Sequence, residues 1–419
     1  MFRKSDASPR ASPQRSTMPF RLSLRLLALL AAAALLAVGT ACDSGPQPPE
    51  ETCTPTASTN GPVGEWEFLG LGGDDITSIT AIAVHPCDPE VIFAGSNFNF
   101  SDDIQGVLFK TENGGETWDT LLVGGSYSEI IIERSDPDVV YVAHTGAAGR
   151  TGAGVLKSTN GGATWRAVNE GLELQGRPST GAYTLAMRPD QPEVLYASTA
   201  SPQLGGWFYR STSGGEQWER VEWTETSKLL ANGVTNITFD SANPATMYVG
   251  TGVSGHLLQS TDGGGSWQIT GWNPPEQPRG ERYGSVRDLY IMPETGTMYA
   301  ATSLGYTSHG AYRSRDGGTT WEPFTEALPD SVTGQALAGN PEEHTLYLLV
   351  TKAGHRRQPN DEPEDLRGIF RLDRSAERWR RMPALQVGQL SSTSTIVYSS
   401  ADQALYVSAE GIHRMKLDE

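Results

Sequence analysis

Along most of the chain, apolar residues come in short runs, many alternating with polar ones at a period of two, and Pro, Asp, Asn or Gly closes each run. Seven stretches share one order: an apolar run, a turn, then a second run ending in Tyr and small residues. They read "ITAIAVHPCDPEVIFAGS", "YSEIIIERSDPDVVYVAHT", "YTLAMRPDQPEVLYASTA", "VTNITFDSANPATMYVGTG", "VRDLYIMPETGTMYAATS", "GQALAGNPEEHTLYLLVT" and "TSTIVYSSADQALYVSAE". Val, Ile and Tyr fit a pleated, half-buried surface and Pro, Asp and Gly interrupt it, so each stretch predicts two strands joined by a turn.

A loop and a third strand follow, leading into a Gly-Gly turn closed by Trp. The strings are "TENGGETW" ending at Trp118, "STNGGATW" at Trp165, "STSGGEQW" at Trp218, "STDGGGSW" at Trp267 and "SRDGGTTW" at Trp321, with a worn copy, "LDRSAERW", ending at Trp379. Self-similarity at this spacing points to a propeller or solenoid. The seventh unit lacks the Gly-Gly turn and its fourth strand, while "GEWEFLG", residues 64–70, is a strand without a unit. Joining the two closes a ring and leaves no sheet edge between first and last units. The expected fold is all-β, a seven-bladed β-propeller of four-stranded blades over residues 64–419, the last blade completed by an N-terminal strand.

These turn strings resemble Asp-box repeats, also called bacterial neuraminidase repeats, over nearly the whole chain from residue 64. In such a turn Asn113, Asn160, Ser213, Asp262 and Asp316 are expected to bond nearby backbone amides, the glycines to take positive φ, and Trp118, Trp165, Trp218, Trp267 and Trp321 to cover the turn. A Trp165 buried in this way makes Trp165→Ala cost about 3–5 kcal/mol. The chain is closest in style to single propellers of the photosystem II stability/assembly factor and sortilin type.

Composition changes the picture in two places. The net charge is −17, and the first 41 residues are basic (Arg3, Lys4, Arg10, Arg15, Arg21 and Arg25 against Asp6), so the remainder is more acidic still. Such a body repels phosphate backbones, which argues against nucleic-acid binding. The basic start, the apolar run Leu26 to Val38 and the small residues before Cys42 predict a signal peptide over 1–41, with Met18 a candidate true start. "GTAC" is similar to a bacterial lipobox, with lipidation at Cys42, although Gly39 replaces the usual bulky aliphatic; the alternative is an ordinary cleaved secretory peptide. Residues 42–63, rich in Pro, Thr, Ser and Gly, read as a tether. The chain is thus expected in the cell envelope, membrane-anchored through lipid alone and monomeric. Cys53 and Cys87 are a candidate disulfide in that oxidising compartment, the alternative being two free thiols.

Candidate chemistry is sparse. The His residues are scattered without zinc spacing, and the glycines of "GLGGDD" precede a strand, not a helix, so no metal, cofactor or phosphate loop is expected. No Arg-Ile-Pro string occurs and residues 64–110 contain no Arg, against a sialidase. Asp74, Asp75, Asp102 and Asp103 form a candidate carboxylate pair for glycan hydrolysis, the alternative being solvated loop acids. The longer loops on the face away from the Asp boxes carry Arg177, Arg279, Arg282, Tyr283, His355, Arg356 and Arg357, a basic and aromatic set suited to an anionic or peptide partner; the alternative is that Arg356 and Arg357 pair with nearby acids. By resemblance the expected function is a protein-binding or assembly scaffold, without catalytic residues. The alternative is a glycan-active enzyme, a glycoside hydrolase, or a carbohydrate binder with Trp207, Trp272 and Tyr283 as exposed sugar platforms.

Overall fold

A computed structural model describes residues 62–418, except 74–75, 77, 99–103, 147–152, 175–180, 200–205, 223, 225, 253–254, 273–284, 304–309, 330–331, 353–365, 386–389 and 392. The described residues build seven four-stranded antiparallel sheets. Blade 1 comprises Ile79–Val84, Ile92–Ser96, Val107–Thr111 and Asp119–Val123; blade 2, Ser126–Ile132, Val140–Thr145, Gly154–Ser158 and Arg166–Ala167; blade 3, Thr184–Arg188, Gln191–Ser198, Phe208–Ser211 and Glu219–Arg220. Blade 4 comprises Val234–Phe239, Met247–Thr251, Leu257–Ser260 and Gln268–Ile269; blade 5, Ser285–Ile291, Met298–Ser303, Ala311–Ser314 and Glu322–Pro323; blade 6, Val332–Asn340, Thr345–Lys352, Gly368–Asp373 and Arg378–Arg381. Blade 7 takes Ile396–Ser399, Ala404–Ala409 and Gly411–Lys416 from the C-terminal end and Glu67–Gly70 from the N-terminal end.

The first strands of successive blades neighbour one another around the ring, and the first strand of blade 7 meets that of blade 1. This is the β-propeller expected from the repeat, closed where expected. Closure is reinforced by the antiparallel pairing of Glu67–Gly70 with Gly411–Lys416, by Arg414 Nη2 on Glu67 Oε2 at 2.8 Å, and by the Gly64 N–H on the Lys416 carbonyl at 2.9 Å.

Among the described residues the apolar side chains do not form one central core. Seven clusters of buried side chains each straddle one interface between adjacent blades, for example Tyr141, Leu185, Leu195 and Trp218 between blades 2 and 3. Second strands such as Ile92–Ser96 and Met247–Thr251 are buried at every position, which explains their continuous apolar runs. Two-residue fourth strands such as Arg166–Ala167 are exposed at both.

Each Asp box has the expected geometry. Asn113 Oδ1 accepts the Thr117 N–H (3.0 Å), Asn160 Oδ1 that of Thr164 (2.9 Å), Ser213 Oγ that of Gln217 (3.0 Å), Asp262 Oδ1 that of Ser266 (2.8 Å) and Asp316 Oδ1 that of Thr320 (2.8 Å). The box hydroxyl, such as Ser158 Oγ, accepts the N–H of the second glycine, Gly162 (2.9 Å), which with Gly161 takes positive φ. The tryptophans are less uniform. Trp118, Trp218 and Trp379 donate Nε1–H to carbonyls on or beside the outermost strand of the preceding blade, Leu69, Val168 and Phe324, and Trp66 does so to Pro383. Trp267 and Trp321 instead bond Gly264 and Gly318 in their own boxes. Trp165 is only half-buried and its Nε1–H has no partner among the described residues, which lowers the cost expected for Trp165→Ala.

Candidate functional site at the tunnel mouth

The innermost strands surround the ring axis, and in five of them the register with the second strand shifts near the start. The extra residues are Thr80, Ser128, Thr235, Arg287 and Gln335. Such bulges re-aim side chains. Three of them stitch each blade to the next: Thr80 Oγ1 donates to the Tyr127 carbonyl (2.9 Å), Ser128 Oγ to Ala182 (3.4 Å) and Thr235 Oγ1 to Val286 (2.5 Å). Arg287 and Gln335 break the series. Burial pushes the Arg287 guanidinium down from its ordinary range, and Gln335 Oε1 is buried without a hydrogen-bond partner among the described residues.

The residue after each bulge is Ala81, Glu129, Asn236, Asp288 or Ala336. Glu129 and Asp288 therefore occupy equivalent positions in blades 2 and 5, three steps apart, the largest separation a ring of seven allows. The Asp288 charge adds to the rise of the Glu129 carboxyl, from the opposite side of the ring axis. Both residues are only partly buried, but enough protein packs around each carboxyl to disfavour its charge. Burial first, and Asp288 second, push Glu129 up to about 8, and no hydrogen bond from the described residues offsets this. Burial also raises Asp288, but the N–H groups of Leu337 and Leu289, each at 2.8 Å, oppose it and hold it at about 6. The bulges lie near the N-terminal ends of the innermost strands, so the site opens on the side away from the Asp boxes.

His144, near the same rim, has both ring nitrogens engaged: Nδ1 accepts the Ala153 N–H (2.8 Å), leaving Nε2–H to donate to the Gly124 carbonyl (2.9 Å). Burial lowers its pKa, so it is a neutral structural side chain. Among the described residues, no three or more His, Cys, Asp or Glu gather as for a metal.

The sequence-based candidates divide sharply. Arg177, Arg279, Arg282, Tyr283, His355, Arg356 and Arg357 lie outside the described residues, as do Asp74, Asp75, Asp102, Asp103, Cys42 and Cys53. Trp272 is not an exposed platform: it is 5% accessible, its Nε1–H bonds the Gly255 carbonyl at 3.0 Å, and it stands edge-on to Tyr312 and Trp321. Trp207 is half-buried beneath the Arg220 guanidinium, 4.5 Å from its ring centre. Cys87 is buried and is not a free titrating thiol. Glu129, Asp288, Arg287 and Gln335 were missed. Aligning the units on their second strands would have found them, because "YSEI" and "VRDL" put acids where other units carry Ala, Thr or Asn.

The fold and its turns define an Asp-box β-propeller. The family model described as BNR/Asp-box repeat matches residues 312–323. A xyloglucanase from Paenibacillus sp is 26% identical over 296 residues, covering 62% of this chain but 28% of that protein; further curated relatives are likewise named xyloglucanases. The chain thus spans about a third or less of the length of these relatives. Among solved structures, the GH74 xyloglucanase from Xanthomonas campestris matches with a TM-score of 0.59 at 18% identity, over 83% of this chain and 53% of that one. YCF48 from Cyanidioschyzon merolae matches with a TM-score of 0.53 at 14% identity, over 84% and 99%. At such identities the structural matches establish the fold alone. The scaffold expectation is corrected by the curated relatives, whose names all denote glycan hydrolysis while the assembly-factor likeness lies only in the shared propeller.

Proposed function

We propose that this propeller is a glycoside hydrolase acting on a xyloglucan-like glycan, with Glu129 as proton donor and Asp288 as its ionised partner. Similarity to proteins named xyloglucanases supports the substrate class. The observation that carries the chemistry is the placement of two carboxyls at equivalent bulge positions of blades 2 and 5, on opposite sides of the ring axis. Glycosidic hydrolysis needs one carboxylic acid to protonate the leaving oxygen and one carboxylate to activate water or attack the anomeric carbon. Burial keeps Glu129 protonated at neutral pH, near 8, while two backbone N–H donors keep Asp288 near 6 and hence ionised at pH 7. Activity should therefore rise as pH passes about 6 and fall as it passes about 8.

The test is release of reducing ends from xyloglucan oligosaccharides by the wild type, Glu129→Gln and Asp288→Asn. The wild type should cleave, and each variant should lose about 10²-fold or more. Cleavage undiminished in both variants would place the chemistry elsewhere. Binding without cleavage by the wild type would leave the carbohydrate-binding reading, and neither activity would remove both.

The export calls belong here too. We propose a lipid on Cys42 and a Cys53–Cys87 disulfide, which place the propeller on a tether in the cell envelope. Cys42→Ser should shift the protein from the membrane to the soluble fraction, and Cys53→Ser should free one thiol to alkylation.

A further inference from the structure

In blades 2 to 4 a second-strand tyrosine reaches the box of the next blade. Tyr141 Oη donates to the Gly214 carbonyl (3.0 Å), Tyr196 to Gly263 (2.8 Å) and Tyr248 to Gly317 (3.4 Å). Tyr299, the equivalent in blade 5, faces blade 6, whose worn box has Ser375 and Ala376 in place of the glycines. There the third and fourth strands continue as an ordinary hairpin closed by the pair Asp373 and Arg378. At this interface, on the Asp-box side, lies a cavity of about 310 Å³.

Three guanidiniums line it. Arg313, 8% exposed, lies 4.3 Å above the Phe324 ring and donates from Nε and Nη2 to Glu322 Oε1 (3.0 and 2.6 Å). Arg315 comes from the blade 5 box and Arg374 from the blade 6 hairpin, where Nη1 is 3.7 Å from Glu294 Oε2. Among the described residues the lining has a single carboxylate, Glu377, which sits at φ 47°, a conformation a non-glycine side chain rarely takes. One of its oxygens, Oε1, serves both Arg315 (2.7 Å) and Arg313 (3.5 Å). Three guanidiniums thus face the cavity against one lining carboxylate, while Glu322 and Glu294 pair with Arg313 and Arg374 from outside the lining.

Glu377 shows which acceptor these arginines hold, since a planar guanidinium matches a carboxylate through paired N–H donors. Tyr299 and Phe324 add flat apolar walls. The volume, at the lower end for small-molecule sites, has room for one group of monosaccharide size. We propose that this cavity binds a small carboxylate of monosaccharide size, such as a uronate, with Arg315 and Arg374 engaging its carboxylate beside Glu377. It is separate from the tunnel mouth, and its occupancy does not depend on hydrolysis there.

The experiment is calorimetric titration of the full-length protein at low salt with glucuronate, glucose and sulfate. Glucuronate should bind, glucose should not, and Arg315→Ala and Arg374→Ala should each weaken glucuronate about tenfold or more. Both arginines are well exposed, so a retained melting temperature separates loss of the site from loss of the fold. Glu377→Gln, which removes the internal competitor, should strengthen binding. Equal binding of glucose and glucuronate, sulfate binding as tight as glucuronate, or affinities unmoved by either arginine substitution would overturn the proposal. Cleavage of xyloglucan should be the same in Arg315→Ala as in the wild type, so its absence throughout would count against the tunnel-mouth reading and leave this one standing.

Discussion

The Asp-box turns and the starts of the innermost strands are products of the same sevenfold repetition, yet their sequences have drifted in opposite ways. In the turns, Asn113, Asn160, Ser213, Asp262 and Asp316 all accept the N–H four residues on, so even the chemically weakest member, a serine, keeps the bond. At the position after the bulge, Ala81, Glu129, Asn236, Asp288 and Ala336 share a place in the ladder and little else. Every blade must turn its outer hairpin, so one solution recurs. Only blades on opposite sides can face one another across the axis, so there the repeat is free to specialise.

The largest effect that separates the two regions should come from an outer residue. Trp379 is 1% exposed and bonds the Phe324 carbonyl on the neighbouring blade, so Trp379→Ala should lower stability by about 3–5 kcal/mol, read as a fall in melting temperature. An unchanged melting temperature would mean that the interblade tryptophans do not hold the ring.

At the inner position the effect should depend on pH. The Glu129 carboxyl is raised in the fold, so between the unfolded value, near 4.5, and the folded value, about 8, the native state holds the extra proton. Stability from this group is full below about 4.5 and falls as pH rises toward 8. Glu129→Gln should flatten that fall, by a few kcal/mol at most, in melting curves from pH 5 to 8; parallel curves for variant and wild type would refute the burial of this carboxyl.

Smaller effects test the uniformity of the turns. Trp165, half-buried and without a partner for its N–H, should tolerate Ala at about 1–2 kcal/mol, well short of Trp379. Asp262→Ala should cost about 1 kcal/mol. The Ser266 hydroxyl holds the Asp262 carboxyl below its usual range, so that contribution is present at neutral pH and should vanish as acid protonates it. An Asp262→Ala deficit that persists undiminished through acid unfolding would show that charge and hydrogen bonding are not its source.

The fold was legible because its signal is redundant. Five good boxes, seven paired runs and one orphan strand at residue 64 admit few arrangements, and a missing blade strand has one place to come from. The site was not legible from motifs, because Glu129 and Asp288 sit inside ordinary strand patterns and come to face one another only once the other five blades close the ring. Trp272 misled for a related reason: a tryptophan beside a loop reads as exposed, whereas the bond to Gly255 and the packing on Tyr312 turn it inward. Function was misjudged because boxes shared by many propellers report on turns and carry no information about ligands.

The seam in blade 7, where Glu67–Gly70 lies along Gly411–Lys416, makes the protein mechanically asymmetric. A pull on the chain ahead of residue 64 does not load all seven sheets together. It is met first at a four-residue strand held by the Arg414–Glu67 pair and the Trp66 anchor on Pro383. That strand works as a clasp, and once it peels away the ring has two ends, with blades 7 and 1 exposed to whatever separates them next.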